Sequence, residues 1–205
     1  MTHYSHYEKI GEVERCIDDE MPFEIPDSWV WARLCMLTSK EIRRGKSPMY
    51  SPKSDILVFA QKCNTKAGRI DISLSKYLDE TVVSKYPNEE YLCDKDIIVN
   101  STGTGTMGRI GIYRTTDNPN NMQIVPDSHV TIIRCVNFIM PEYVFYCLKT
   151  YQQYLEEHGE GSTNQKELKP YTIANLLIPL PPLQEERRIV SGLSRSFTMC
   201  DKLKQ

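Results

Sequence analysis

Short apolar runs of period two fill most of this chain as far as Arg134, and helical spacing takes over after it. Met21 to Leu34 alternates apolar and polar residues. Pro22 and Pro26 confine its first half to an edge or extended arm, and Trp29 and Trp31 face one way, expected in the core. Ile56 to Ala60 reads as a short apolar strand, Gln61 to Arg69 as a polar turn, and Ile70 to Leu74 as resumed alternation. Strands are further predicted at Asp96 to Asn100, Arg109 to Tyr113 and His129 to Arg134. From Pro141 to about His158, Val144, Cys147, Leu148, Tyr151 and Leu155 share one helical stripe, and Gly159 stops it.

The run Ile178 to Leu180 ends on Pro181 and Pro182, which cannot continue a strand ladder and preset φ for helix entry. Glu185 and Glu186 then suit the positive end of a helix dipole, and Ile189, Val190, Leu193, Phe197 and Leu203 recur at helical spacing. Three parts follow from this pattern. Residues 1–20 are a polar, acidic and loosely held lead-in. Residues 21–182 form one mixed-sheet α/β (α+β) domain without an internal repeat. Residues 183–205 form a projecting, coiled-coil-type helix whose apolar stripe a single domain has no evident way to bury.

Composition narrows the class. The length of 205 residues suits one domain with an appended element. No charged-then-apolar leader appears and no apolar run approaches the roughly 20 residues of a membrane helix, so a cytoplasmic protein with no membrane partner is expected. The seven cysteines are scattered and never paired as C-x-x-C, which speaks for reduced thiols and against a zinc site. A net charge of −2 argues at first against a polyanion ligand. Its distribution reverses that: up to Asp27 eight acids face only Lys9 and Arg15, whereas from Arg33 to Arg69 nine bases face only Glu41 and Asp55. Such a chain can hold DNA on one face and a protein partner on another.

Several segments could carry chemistry. Gly103 to Gly108 satisfies G-x-G-x-x-G, but Arg109 to Tyr113 behind it reads as a strand, and a dinucleotide fingerprint needs a helix there. A hairpin that approaches something closely fits better. Pro126-Asp127 with Glu167 and Lys169 mimics the carboxylates and lysine of metal-dependent nucleases, at a long separation. Asn118-Pro119-Asn120 lacks the second proline and aromatic of an adenine methyltransferase loop, and the four histidines show no metal spacing. Gly161 to Lys169 is dense in short hydrogen-bonding side chains. Ser162 and Gln165 stand at capping-box spacing, yet the same residues suit phosphate oxygens and adenine edges.

Five segments together resemble one family. They are P-x-S-W-x-W-x-x-L from Pro26, G-K-S-P-x-Y from Gly45 with Gln61-Lys62 and Tyr77 to Glu80, D-I-I-x-N-x-x-G-x-G-x-x-G-R from Asp96, the loop Gly161 to Lys169, and the Pro181-Pro182 junction. The resemblance is to the specificity subunit of type I restriction-modification systems, in which a target recognition domain leads into a spacer helix. It implies sequence-specific recognition of half of a bipartite DNA target, without catalysis. By that resemblance DNA meets Lys46, Ser47, Gln61, Lys62, Asn64, Lys66, Arg69, Thr104, Arg109, Ser162, Thr163, Asn164, Gln165 and Lys166. The bases hold phosphate, and Gln61, Asn64 and Gln165 read bases. The last helix docks modification (methyltransferase) subunits, which bind S-adenosylmethionine, and through them the restriction subunit that uses ATP and Mg. The chain itself is expected to bind no cofactor and no metal. Such subunits generally carry two recognition domains and this chain holds one, so it is either a half-subunit that forms a homodimer or a piece of a longer protein. The alternative reading is a stand-alone DNA-acting or nucleotide-using enzyme, such as a metal-dependent nuclease.

Overall fold

The computed structural model describes residues 5–66, 68–161 and 166–203. Tyr7–Ile10 (β1) and Val13–Cys16 (β2) make an antiparallel hairpin, followed by Val30–Arg33 (β3). The domain proper begins with Arg43–Arg44 (β4), Tyr50–Ser51 (β5), Ile56–Phe59 (β6) and Lys76–Leu78 (β7). Ile97–Asn100 (β8) and Ile110–Ile112 (β9) are joined by the glycine loop, and Gln123–Pro126 (β10) by a tight turn to Val130–Ile133 (β11). Pro141–Thr150 (α1), Gln152–Glu157 (α2) and Pro170–Ala174 (α3) follow, then Leu177–Leu180 (β12) and Leu183–Lys202 (α4).

Two four-stranded sheets form the body, in the orders β10-β6-β7-β5 and β4-β11-β8-β9. The β6–β10 pair is parallel and the others antiparallel, so the architecture is mixed, as the alternating patterns predicted. The second sheet is buried on both faces. Ile97, Val99, Ile110 and Ile133 point to the helices and pack with Tyr143, Val144, Leu148 and Ile173. Ile98, Val130 and Ile132 point the other way, onto Leu57, Phe59 and Ile124 of the first sheet. A strand covered on both sides reads as a continuous apolar run, which is why Ile97-Ile98-Val99 lacks polar alternation. The far face of the first sheet, Ile56, Val58, Leu78 and Val125, is closed by Val82 and Tyr86.

Four expectations are corrected. Ile72–Leu74 is a 3₁₀ turn and not a strand, because the Asp71 carboxylate accepts the Ser73 N–H at 3.0 Å and offers the backbone a local partner. The single helix expected from Pro141 to about His158 breaks at Tyr151, whose hydroxyl donates to the Leu177 carbonyl at 2.7 Å. Trp29 and Trp31 are half-buried; the Trp29 indole N–H donates to Glu185 at 3.2 Å and so ties β3 to the start of α4. The lead-in is folded. Arg33, 7% exposed, gives its guanidinium to Glu8 at 2.8 and 3.1 Å, to Glu20 at 2.7 Å and to the Asn175 carbonyl at 2.7 Å. A guanidinium out of water needs such partners, and the acids that supply them are those of the hairpin and the turn behind it.

The last helix also departs from expectation. Glu186 is buried and accepts the Met140 N–H at 2.8 Å at the entry to α1. Ile189 and Val190 pack against the helical core of their own domain, and Phe197 stacks on Tyr146 with ring centroids 5.7 Å apart. The apolar stripe is thus covered over its first turns. Beyond them Phe197, Met199 and Leu203 are 52, 67 and 87% exposed.

The Arg33 contact generates a prediction in two parts. Arg33→Ala is expected to lower stability by about 3 kcal/mol in denaturant unfolding, the low end for a broken buried ion pair because Glu20 stays partly wetted. Hydrogen bonding to Arg33 holds the Glu8 carboxyl below its ordinary value of 4.5. A depressed carboxylate contributes stability above its unfolded pKa and loses it as pH falls through the folded one, so the hairpin is expected to loosen below about pH 4. Amide exchange of residues 7–16 against pH checks this.

Candidate nucleic-acid interface

The ends of the central strands meet the helices in a cleft of about 980 Å³. Its first wall is the basic turn that leaves β6. Gln61 and Lys66 line it, and Asn64 ties it down: the Asn64 amide donates to Asn100 Oδ1 at 3.3 Å and to the Arg109 carbonyl at 3.1 Å. Asn100, the last residue of β8, donates in turn to the Gln61 carbonyl at 3.0 Å. Arg109 completes the weld by donating to the Asn64 carbonyl at 2.8 Å and to the Gly105 carbonyl at 3.1 Å. The glycine loop is therefore fastened to the basic turn as one surface.

Gly103 and Gly108 show what that fastening demands. Gly103 has φ +94°, and a Cβ there would lie 2.4 Å from Thr106 Oγ1 and 2.6 Å from Gln61 Oε1. Gly108 has φ +78°, and a Cβ there would meet the Glu156 backbone N at 2.7 Å. The close approach expected of this loop is made to the protein itself, to the turn on one side and to α2 on the other. No helix follows the loop; β9 does, paired to β8 with Ile97 opposite Ile112.

The second wall comes from α1 and α2, which contribute Lys149, Gln152 and Glu156. Lys149 donates to Gln152 Oε1 at 2.5 Å, and burial, reinforced by the neighbouring Arg109, holds its ammonium below the usual lysine pKa despite the pull of Glu156. Lys166 and Glu167 close the cleft from the segment before α3, which is clamped when the Leu168 N–H donates to the Ser101 carbonyl at 2.7 Å. Glu167 pairs with Arg44 at 3.2 Å and Lys169 at 3.5 Å, and Arg44 lowers its pKa.

Five of the residues expected at DNA thus line one cleft: Gln61, Lys66, Thr104, Arg109 and Lys166. Lys62 and Arg69 are exposed on the same turn but outside the lining, and Ser47 is exposed elsewhere. One expectation is corrected. Asn64 is fully buried and spends its amide on Asn100 and the Arg109 carbonyl, so it holds the wall and does not reach a base edge. Lys46, partly exposed, lies outside the cleft lining, 3.6 Å from the buried Glu90, where it donates to the Lys85 carbonyl and sits 5.7 Å over the Tyr86 ring. Ser162, Thr163, Asn164 and Gln165 lie outside the described residues. Lys149, Gln152 and His129 were not singled out from the sequence. The lysine and glutamine occupy the polar side of a helix, and His129 stands alone without a spacing signal.

The nuclease-like pair is not assembled. Asp127 is 2% exposed with its carboxylate on the His129 N–H at 2.8 Å, and burial raises its pKa. Glu167 is engaged with its two cations. Among the described residues no group of three or more His, Cys, Asp or Glu is placed to hold a metal ion.

With this geometry in place, the chain matches the family model described as type I restriction modification DNA specificity domain over residues 34–205. It is 26% identical over 195 residues to the type I restriction enzyme EcoEI specificity subunit of Escherichia coli, covering 91% of this chain and 32% of that one. It is 25% identical over 207 residues to the EcoAI specificity subunit of the same organism, covering 92% and 31%. The chain therefore spans about a third of the length of these curated relatives. The fold matches the crystal structure of the HsdS subunit from Thermoanaerobacter tengcongensis with a TM-score of 0.64 at 19% identity, covering 89% of this chain and 41% of that one.

Gly103→Ala is the substitution this geometry singles out. A side chain at positive φ costs roughly 1 kcal/mol or more, and here it must also displace Gln61. The expected outcome is a modest loss of stability with chemical-shift changes concentrated at residues 61–69 and 102–109.

Proposed function

Taking as premise that the chain belongs to the family of type I restriction modification DNA specificity domains, we propose that it reads half of a bipartite DNA target through the cleft between the basic turn and α2. One observation carries this reading. Lys66, Arg109, Lys149 and Lys166 converge on a single cleft in a chain of net charge −2, on a wall made rigid by Asn64, Asn100 and Arg109. Cations fixed on a rigid surface hold phosphate, and amides and hydroxyls between them read base edges. Gln61 and Thr104 supply those groups.

The chain acts by binding and not by catalysis. It takes no cofactor of its own; S-adenosylmethionine belongs to modification subunits and ATP with Mg to the restriction subunit, both recruited through the complex. Its place is the cytoplasm, where duplex DNA and those subunits are found; among the described residues no helix is long and apolar enough to cross a membrane. The far half of α4 serves assembly, with a modification subunit or with a second copy of the chain. Ile189 and Val190 serve their own core, so the assembling surface is Phe197, Met199 and Leu203.

Two experiments test this. Duplex binding is expected to weaken steeply with salt, log K falling with log salt by about 0.9 per phosphate neutralised. Lys62, Lys66 and Arg69 changed together to alanine should flatten that slope while each change alters stability by no more than about 0.5 kcal/mol. A slope unchanged by the triple variant would place DNA elsewhere. Separately, Met199→Glu with Leu203→Glu is expected to leave the melting temperature of the domain in place and to abolish self-association or capture of a modification subunit, read by light scattering and pull-down. An undiminished complex would remove α4 from assembly.

A further inference from the structure

At the cleft three side chains from three elements touch in series. His129, on the turn between β10 and β11, has Nδ1 2.7 Å from Thr102 Oγ1. The Thr102 hydroxyl lies 3.4 Å from Gln61 Oε1, and the Thr106 hydroxyl lies 3.3 Å from the same atom. The Thr106 proton has carbonyls nearer to hand, those of Thr102 at 3.1 Å and Gly103 at 3.2 Å. The Gln61 amide is therefore held by hydroxyls, which donate or accept as their other neighbours require. The two ends of an amide have nearly the same shape, so hydrogen-bond partners decide which end faces outward.

We propose that His129 is a positioning residue for base reading: through the Thr102 hydroxyl, the proton on its Nδ1 decides whether Gln61 presents an N–H donor or a carbonyl acceptor to DNA. This rests on the DNA-reading assignment above and adds the chemistry that Gln61 selects. With a proton on Nδ1, the imidazole donates to Thr102, whose own proton turns to Gln61 Oε1. The amide nitrogen is then left for an acceptor edge, guanine O6 and N7 or thymine O4. With Nδ1 bare, Thr102 donates to His129 and turns a lone pair to the amide. The nitrogen swings inward, and the carbonyl meets a donor edge, adenine N6 or cytosine N4.

Imidazole is the side chain that changes charge between pH 5 and 8, and His129 is exposed at the cleft. The charged groups facing it come from every element around. Asp127 on its own turn takes its backbone N–H, and Glu167 stands on the strand-like bridge to Thr102. Lys66, Arg109, Lys149, Glu156 and Lys166 line the same space.

The test is selection of random-sequence duplex DNA on the full chain at about pH 5.5 and about pH 8, with sequencing of the retained pools. The preferred base at one position of the selected site is expected to change between the two, by roughly five-fold, the worth of one hydrogen bond. Thr102→Val removes the relay hydroxyl at nearly constant shape and is expected to give one preference at both pH values, and Thr102→Ser to restore the change. A wild-type preference that is the same at both pH values, or a Thr102→Val variant that still switches, overturns the relay while retained duplex leaves the DNA-reading assignment standing. If no duplex is retained at either pH, both fall.

Discussion

Strand β8 is covered on both faces and paired on both edges, with Ile97 and Val99 toward the helices, Ile98 toward the other sheet, β11 on one side and β9 on the other. Its last residue, Asn100, is also fully buried, and there the chemistry changes from apolar to polar without leaving the core. The Asn100 amide is the first link of the network that holds the basic turn and the glycine loop together. The interface is therefore built outward from the most constrained strand in the molecule, so its geometry inherits the rigidity of the core. A buried amide with both ends committed also discriminates sharply among arrangements, since leaving one end unpaired costs about 1–3 kcal/mol.

Charge is organised locally. The acids near the N-terminus neutralise a buried guanidinium, and the cations around the cleft keep most of theirs for solvent and ligand. Net charge thus said little about the partner, while its distribution along the chain said more. Two acids of the segment expected to be a loosely held lead-in, Glu8 and Glu20, are spent internally on Arg33. The bases also divide: Arg43 and Lys46 compensate the buried Glu90, and Lys66 and Lys166 remain exposed at the cleft.

What was legible in the sequence was what local pattern controls. The strands at Ile56, Ile97, Ile110 and Val130, the proline junction and the final helix follow from periodicity and from residues with few backbone choices. The glycine loop could be assigned to a hairpin because the next five residues could not start a helix. Local pattern failed where a distant partner decides. Nothing near Glu8 announces Arg33, nothing near Tyr151 announces the Leu177 carbonyl, and Ile70 to Leu74 alternates convincingly until the Asp71 carboxylate takes the Ser73 N–H. The site divides in the same way. Gln61, Lys66 and Arg109 carry motif and charge signals, whereas Lys149 and Gln152 reach the cleft only through the packing of α1 and α2 against the sheet, and His129 through the turn between β10 and β11. Asn64 misled for the opposite reason: an amide in a basic turn suits a base reader and a structural clamp equally, and burial alone separates them.

The seating of α4 has a consequence for the geometry at its far end. The helix leaves the domain with Glu186 locked on Met140 and Phe197 against Tyr146, so it is bolted to α1. The continuation of α1 past Tyr151 is α2, which carries Gln152 and Glu156 into the cleft. The cleft and the outgoing helix are thus mounted on one bracket. A rod clamped in this way has a fixed origin: each residue added to α4 shifts its far end by about 1.5 Å and turns it by about 100°. The position and the facing of that end relative to the cleft are then set by counting residues.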